Sequence, residues 1–77
     1  MLKIKDNVDL KELEKFGFEE LPHKYWRDIN NTYWTICIDK ETREIKCWNY
    51  GYGGTKKPDK YIQDLIQAGL VEKVGEQ

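Results

Sequence analysis

Serine is absent from the 77-residue chain, histidine occurs once at His23, and cysteine occurs twice, at Cys37 and Cys47. Each shortage removes a class of chemistry. Without serine, and with one imidazole that has no motif-linked thiol, the chain offers no nucleophile and base pair of the acyl-transfer kind. Structural zinc needs about four converging nitrogen or sulfur ligands. His23, Cys37 and Cys47 fall short of that number and form no C-x-x-C. No apolar run approaches the roughly 18 residues that cross a bilayer. The opening MLKIKDNVDLKEL also lacks the continuous apolar centre of a signal peptide. These absences lead to the expectation of a non-enzymatic protein with no metal or other cofactor and no membrane contact. A reducing cytoplasm and two free thiols go with it.

What is present suits one small domain spanning residues 1–77. The chain is 39% hydrophobic and 35% charged, with a net charge of −1. That is too apolar for disorder, yet a core this small supplies only about 3–5 kcal/mol. Every large apolar side chain counts. The near-zero net charge provides no general attraction toward nucleic acid, although Lys46, Lys56, Lys57 and Lys60 outnumber Asp59 between residues 45 and 60.

Residues 10–16 read as a first short helix. Asp9 and Glu12 have the spacing of a capping box, Val8 and Leu13 that of a hydrophobic staple. Gly17 and Phe18 then fit a left-handed closure in which Phe18 packs back on Leu13. From Leu21 to Tyr50 the composition turns to Tyr, Trp, Thr and Ile, interrupted at Asn30-Asn31 and at Asp39 to Arg43. This predicts a three-stranded antiparallel meander. A two-residue turn at Asn30-Asn31 would pair Tyr25 with Ile36 and Arg27 with Trp34, and the longer loop would pair Ile38 with Ile45 and Thr35 with Trp48. Pro58 suits the first turn of a second helix, whose stripe would be Tyr61, Ile62, Leu65 and Ile66. The expected fold is therefore α+β, a meander packed with two short helices in the order α-β-β-β-α. Leu2 to Asp6 and Leu70 to Val74 alternate enough to bring the sheet to four or five strands.

The period of two sorts the meander onto two faces. One face collects Tyr25, Trp34, Ile36, Ile38, Ile45 and Cys47, a core. The other collects Lys24, Trp26, Asp28, Tyr33, Thr35, Cys37, Lys46, Trp48 and Tyr50. Cys37 and Cys47 point to opposite sides, against a disulfide between them. Left open, the second face would be an apolar patch at or above the roughly 300–600 Å² typical of the largest on a monomer. Two outcomes are open for it. Either a helix or terminal segment covers it and the rings are core, or it meets a partner.

Trp26, Tyr33, Trp48 and Tyr50, rimmed by Lys24 and Lys46, suit a protein partner, a second copy of the chain included. An alternative is single-stranded nucleic acid, with bases stacking on the same rings and on Tyr52 while Lys56 and Lys57 track phosphates. The overall charge opposes it. The glycine-rich run KCWNYGYGGTKKP, Lys46 to Pro58, departs from the phosphate-binding loop pattern. Thr55 precedes Lys56 where glycine is needed, and Lys57 follows where Ser or Thr is needed.

The stretch IKDNVDLKELEKFGFEEL, Ile4 to Leu21, and the closing IQDLIQAGLVEKV, Ile62 to Val74, resemble small uncharacterised phage- and prophage-encoded proteins of low-GC Gram-positive bacteria. The resemblance covers both ends of the chain and carries no site residues with it. It implies an accessory role in the host cytoplasm, exercised by binding a host or phage protein, and in the anti-CRISPR-like case by inhibiting a defence protein.

Overall fold

The computed structural model of the protein describes residues 1–75. Seven strands form one antiparallel sheet: β1 (Leu2–Ile4), β2 (Glu19–Glu20), β3 (Lys24–Asp28), β4 (Trp34–Asp39), β5 (Glu44–Asn49), β6 (Thr55–Lys56) and β7 (Val71–Lys73). A 3-10 helix spans Leu10–Phe16, a 3-10 turn spans Asp59–Tyr61, and an α-helix, α1, spans Gln63–Gln67. The spatial order is β2-β3-β4-β5-β1-β7. With β4 on one side of β5, β1 and β6 share the other, β1 beside Glu44 and Ile45 and β6 beside Cys47 and Trp48.

This corrects the expected α-β-β-β-α meander with two short helices. The segment at 10–16 has the expected ends but the tighter winding. Asp9 accepts from the Lys11 amide at 3.0 Å, while the Glu12 carboxylate goes to Lys15 at 3.2 Å instead of closing a capping box. Gly17 adopts φ 85°, and the Phe18 amide donates to the Leu13 carbonyl at 3.2 Å, closing the end as its sequence indicates. The second expected helix shrinks to α1, whose Ile62 and Leu65 flank are buried while Ile66 is exposed. The glycine run does not lead into a helix. It turns back as a hairpin into β6.

The β4–β5 register is the one expected from the isoleucine alternation, with Ile38 opposite Ile45 and Thr35 opposite Trp48. The β3–β4 register differs by two residues: Tyr25 pairs with Ile38, Trp26 with Cys37 and Arg27 with Ile36. A four-residue connection replaces the expected two-residue turn. The Ile29 amide donates to Trp34, the Thr32 amide donates back to Ile29, and Asn31 takes φ 62°. A shift of two leaves pleat parity unchanged, so the sorting of side chains survives the correction.

All three helical segments pack on one face. Ile4, Leu13, Phe18, Tyr25, Ile36, Ile38, Ile45, Cys47, Ile62 and Leu65 form a single buried cluster. Arg27 projects to this side and ties the layers together. Its guanidinium donates to the Phe16 carbonyl at 2.8 Å, to Asp64 at 2.8 Å and to the Tyr61 carbonyl at 2.9 Å, and it stacks over the Phe18 ring. One side chain thus fixes both the 3-10 helix and the C-terminal helical segment to the central strands. No helix among the described residues is long and apolar enough to cross a membrane.

Candidate functional site

No helix among the described residues packs on the opposite face of the sheet. β3 contributes Lys24, Trp26 and Asp28, β4 contributes Thr35 and Cys37, and β5 contributes Lys46 and Trp48, because alternate residues of three adjacent strands share a side. Trp48 is 42% exposed and Tyr50 52%, too open for core residues. Trp26 is half-buried, and its indole N–H is enclosed without an acceptor among the described residues. A shallow groove of about 420 Å³ runs over Leu21, Trp26, Thr35, Cys37, Trp48 and Tyr50. Lys24 and Lys46 are exposed beside it.

The register correction alters the layout within this face. Trp26 lies beside Cys37, not Thr35, so the two indoles stand on a diagonal across β4 instead of in one row. Thr35 lies between Asp28 and Trp48 and is 5% exposed. Its hydroxyl donates to the Arg27 carbonyl at 3.1 Å, so it is spent on the sheet itself. Cys37 lies between Trp26 and Lys46, its thiol half-covered. Burial pushes that thiol above its ordinary range, outweighing the nearby Lys24 and Lys46, and keeps it protonated at neutral pH.

The Tyr33 and Tyr50 rings meet edge to face at 6.0 Å, and the Tyr50 amide donates to the Tyr33 carbonyl at 2.9 Å. They extend the face beyond the strand ends. Behind them stands Asn49, 2% exposed, which the sequence reading passed over. Its side-chain oxygen accepts from the Gly51 amide at 2.8 Å and the Tyr52 amide at 3.1 Å, while its backbone bonds to Gly53 and Gly54. Asn in a turn is known to bond to backbone two residues on, and the Asn-x-Gly spacing was the available signal. A Cβ on Gly51 would meet the Asn49 oxygen and the Tyr33 ring at 3.2 Å, so glycine there lets the tyrosine pair close over the loop.

The residues of the nucleic-acid alternative are not gathered with these. Lys56 pairs with Cys47 on the core side of the sheet, and its ammonium lies 4.2 Å from the centre of the Trp34 ring and 3.1 Å from the Tyr61 hydroxyl. Tyr52 is 84% exposed at the hairpin tip. Lys57 is exposed and borders a separate cavity of about 630 Å³, which opens where β1 and β6 divide the edge of β5. No tryptophan or tyrosine lines it. No group of three or more His, Cys, Asp or Glu among the described residues is placed to hold a metal ion.

No protein-family model matches the chain, and comparisons with curated proteins and with solved structures return no match.

Proposed function

We propose that the protein is a non-enzymatic binding module whose uncovered sheet face, centred on Trp26 and Trp48 with Tyr33 and Tyr50 at one end and Lys24 and Lys46 at the other, docks another protein. A host or defence protein as its target, the role implied by the resemblance of the chain ends, belongs to the same proposal. One observation carries this reading: Trp48 and Tyr50 lie open on the side of the sheet away from every helix, while the isoleucines of the same strands are sealed. Large amphipathic rings flanked by mixed charge are the composition of interface centres and rims. The lysines here are matched by Asp28 and Glu44, and Lys46 lies 3.9 Å from Glu44, so the face is not a cationic track. That balance favours a protein over a phosphate backbone.

The test is capture of a partner from nuclease-treated extract of the host cell, followed by titration of that partner against Trp48→Ala and Tyr50→Ala variants. Weakened binding by a folded variant is the expected result. Unaltered affinity in both, or binding that disappears with nuclease treatment, would sink the reading.

A further inference from the structure

The uncovered face is complementary to itself about a line drawn along β4. Read in order along the sheet, its β3 flank presents Lys24, Trp26 and Asp28, beside Asp39, Cys37 and Thr35 of β4. In the same rows its β5 flank presents Glu44, Lys46 and Trp48, the first by continuing the Ile38–Ile45 register one step. A cation, a ring and an anion on one flank thus stand level with an anion, a cation and an indole N–H on the other.

We propose that a second copy of this chain occupies the face, forming a symmetric homodimer whose two-fold axis lies in the interface along β4. This rests on reading the face as a protein-docking surface and names its occupant in the free protein, before any other partner docks. The rotation lays β3 of one copy over β5 of its partner, and the reverse. Lys24 then meets Glu44, Trp26 meets Lys46, and Asp28 meets the indole N–H of Trp48. These are an ion pair, a cation–π contact and a charge-assisted hydrogen bond, each made twice, as an isologous interface requires. An axis running across the strands does worse, since it sets Lys46 on Lys46 and Glu44 against Trp48. Only Asp39 lies on the chosen axis with like charge facing it. Its carboxylate is drawn into its own turn, accepting from the Glu41 amide at 2.7 Å and the Thr42 amide at 2.9 Å.

The arrangement also brings the two Cys37 residues face to face on the axis. Stacked sheets sit about 10 Å apart, whereas a disulfide needs Cα atoms within roughly 7 Å. The pair is therefore out of reach of direct oxidation and within reach of a short bismaleimide.

Sedimentation equilibrium over a wide concentration range tests the state of the wild-type chain, with Lys24→Glu, Glu44→Lys and the double variant beside it. Each single reversal places two like-charged pairs in the dimer and is expected to weaken it by at least about tenfold. The double variant restores opposite charges across the interface and is expected to recover most of the loss. Short bismaleimide treatment gives a covalent dimer in the wild type and in Cys47→Ala, and none in Cys37→Ala. A chain that stays monomeric at every concentration, a double variant no better than the singles, or cross-linking indifferent to Cys37 overturns the dimer. A monomeric chain that still loses its captured partner on Trp48→Ala overturns the dimer alone and leaves the docking face standing.

Discussion

The guanidinium of Arg27 lies 2.8 Å from the carboxylate of Asp64, joining β3 to α1 across 37 residues of sequence. The same Arg27 group satisfies the Phe16 and Tyr61 carbonyls, so it closes helix ends as well as an ion pair. Arg27→Ala is expected to lower stability by about 2–3 kcal/mol, because hydrogen bonds to a charged donor are lost and partly buried carbonyls go unpaired. Arg27→Lys should recover less than half of that, since an ammonium cannot span three acceptors with the planar fork. Urea titration followed by tryptophan emission measures both.

The two faces of the sheet should respond differently to truncation. Ile36, fully buried, is expected to cost about 2–5 kcal/mol on replacement by alanine. Trp48, 42% exposed on the other side, should cost about 1 kcal/mol or less, the scale of a cross-strand pair. Equal losses for the two would mean that Trp48 is sealed in the folded chain.

Asn49→Ala should destabilise by about 1–2 kcal/mol, because the Gly51 and Tyr52 amides lose their acceptor within a packed loop. Gly51→Ala should be unfavourable for a separate reason: its methyl would lie 3.2 Å from both the Asn49 oxygen and the Tyr33 ring. Thermal unfolding of both variants checks the loop, and near-ultraviolet circular dichroism should register the parting of Tyr33 from Tyr50.

Hydrogen bonds from the Thr42 amide first and the Glu41 amide second hold the Asp39 carboxyl below its ordinary value of 3.8. A depressed folded-state value means that the unfolded chain binds the proton first as pH falls. The contribution is therefore present in full above about pH 4 and disappears as pH drops through the folded value. Asp6, held down by Lys3, and Glu20, held down mainly by Lys40, act with the same sign. Stability measured from pH 6 to pH 2 should fall less steeply for Asp39→Asn than for the wild type.

Which parts of this architecture were readable from the sequence follows from the range of the interactions that make them. The β4–β5 register was legible because the alternating isoleucines at 36, 38 and 45 have one arrangement that buries them all. At the β3–β4 turn, Asn30 and Asn31 suit a two-residue loop as well as the four-residue one, and only packing decides. The sorting of side chains onto two faces survived the difference in register because a slip of two keeps every side chain on its own side. β2 is two glutamates, a composition with no strand tendency, and it pairs because Trp26 and Tyr25 present an edge beside it. The tight winding of residues 10–16 was hidden because capping signals mark the ends of a helix without setting its pitch. The hairpin into β6 depends on the buried Asn49 amide, whereas local propensity sees only a glycine run ahead of Pro58.

β1 and β7 lie side by side, Leu2 against Lys73 and Ile4 against Val71, although nearly the whole sequence separates them. Loop-closure entropy makes such a pairing late and slow, whereas the β3-β4-β5 hairpins can zip from their turns. On a translating ribosome β1 and β5 emerge before β7 does. Leu2 can pair with Ile45 of β5 in that interval, so it is the outer edge of β1 that stays unpaired until β7 arrives, the stage at which the nascent chain is most exposed to mispairing.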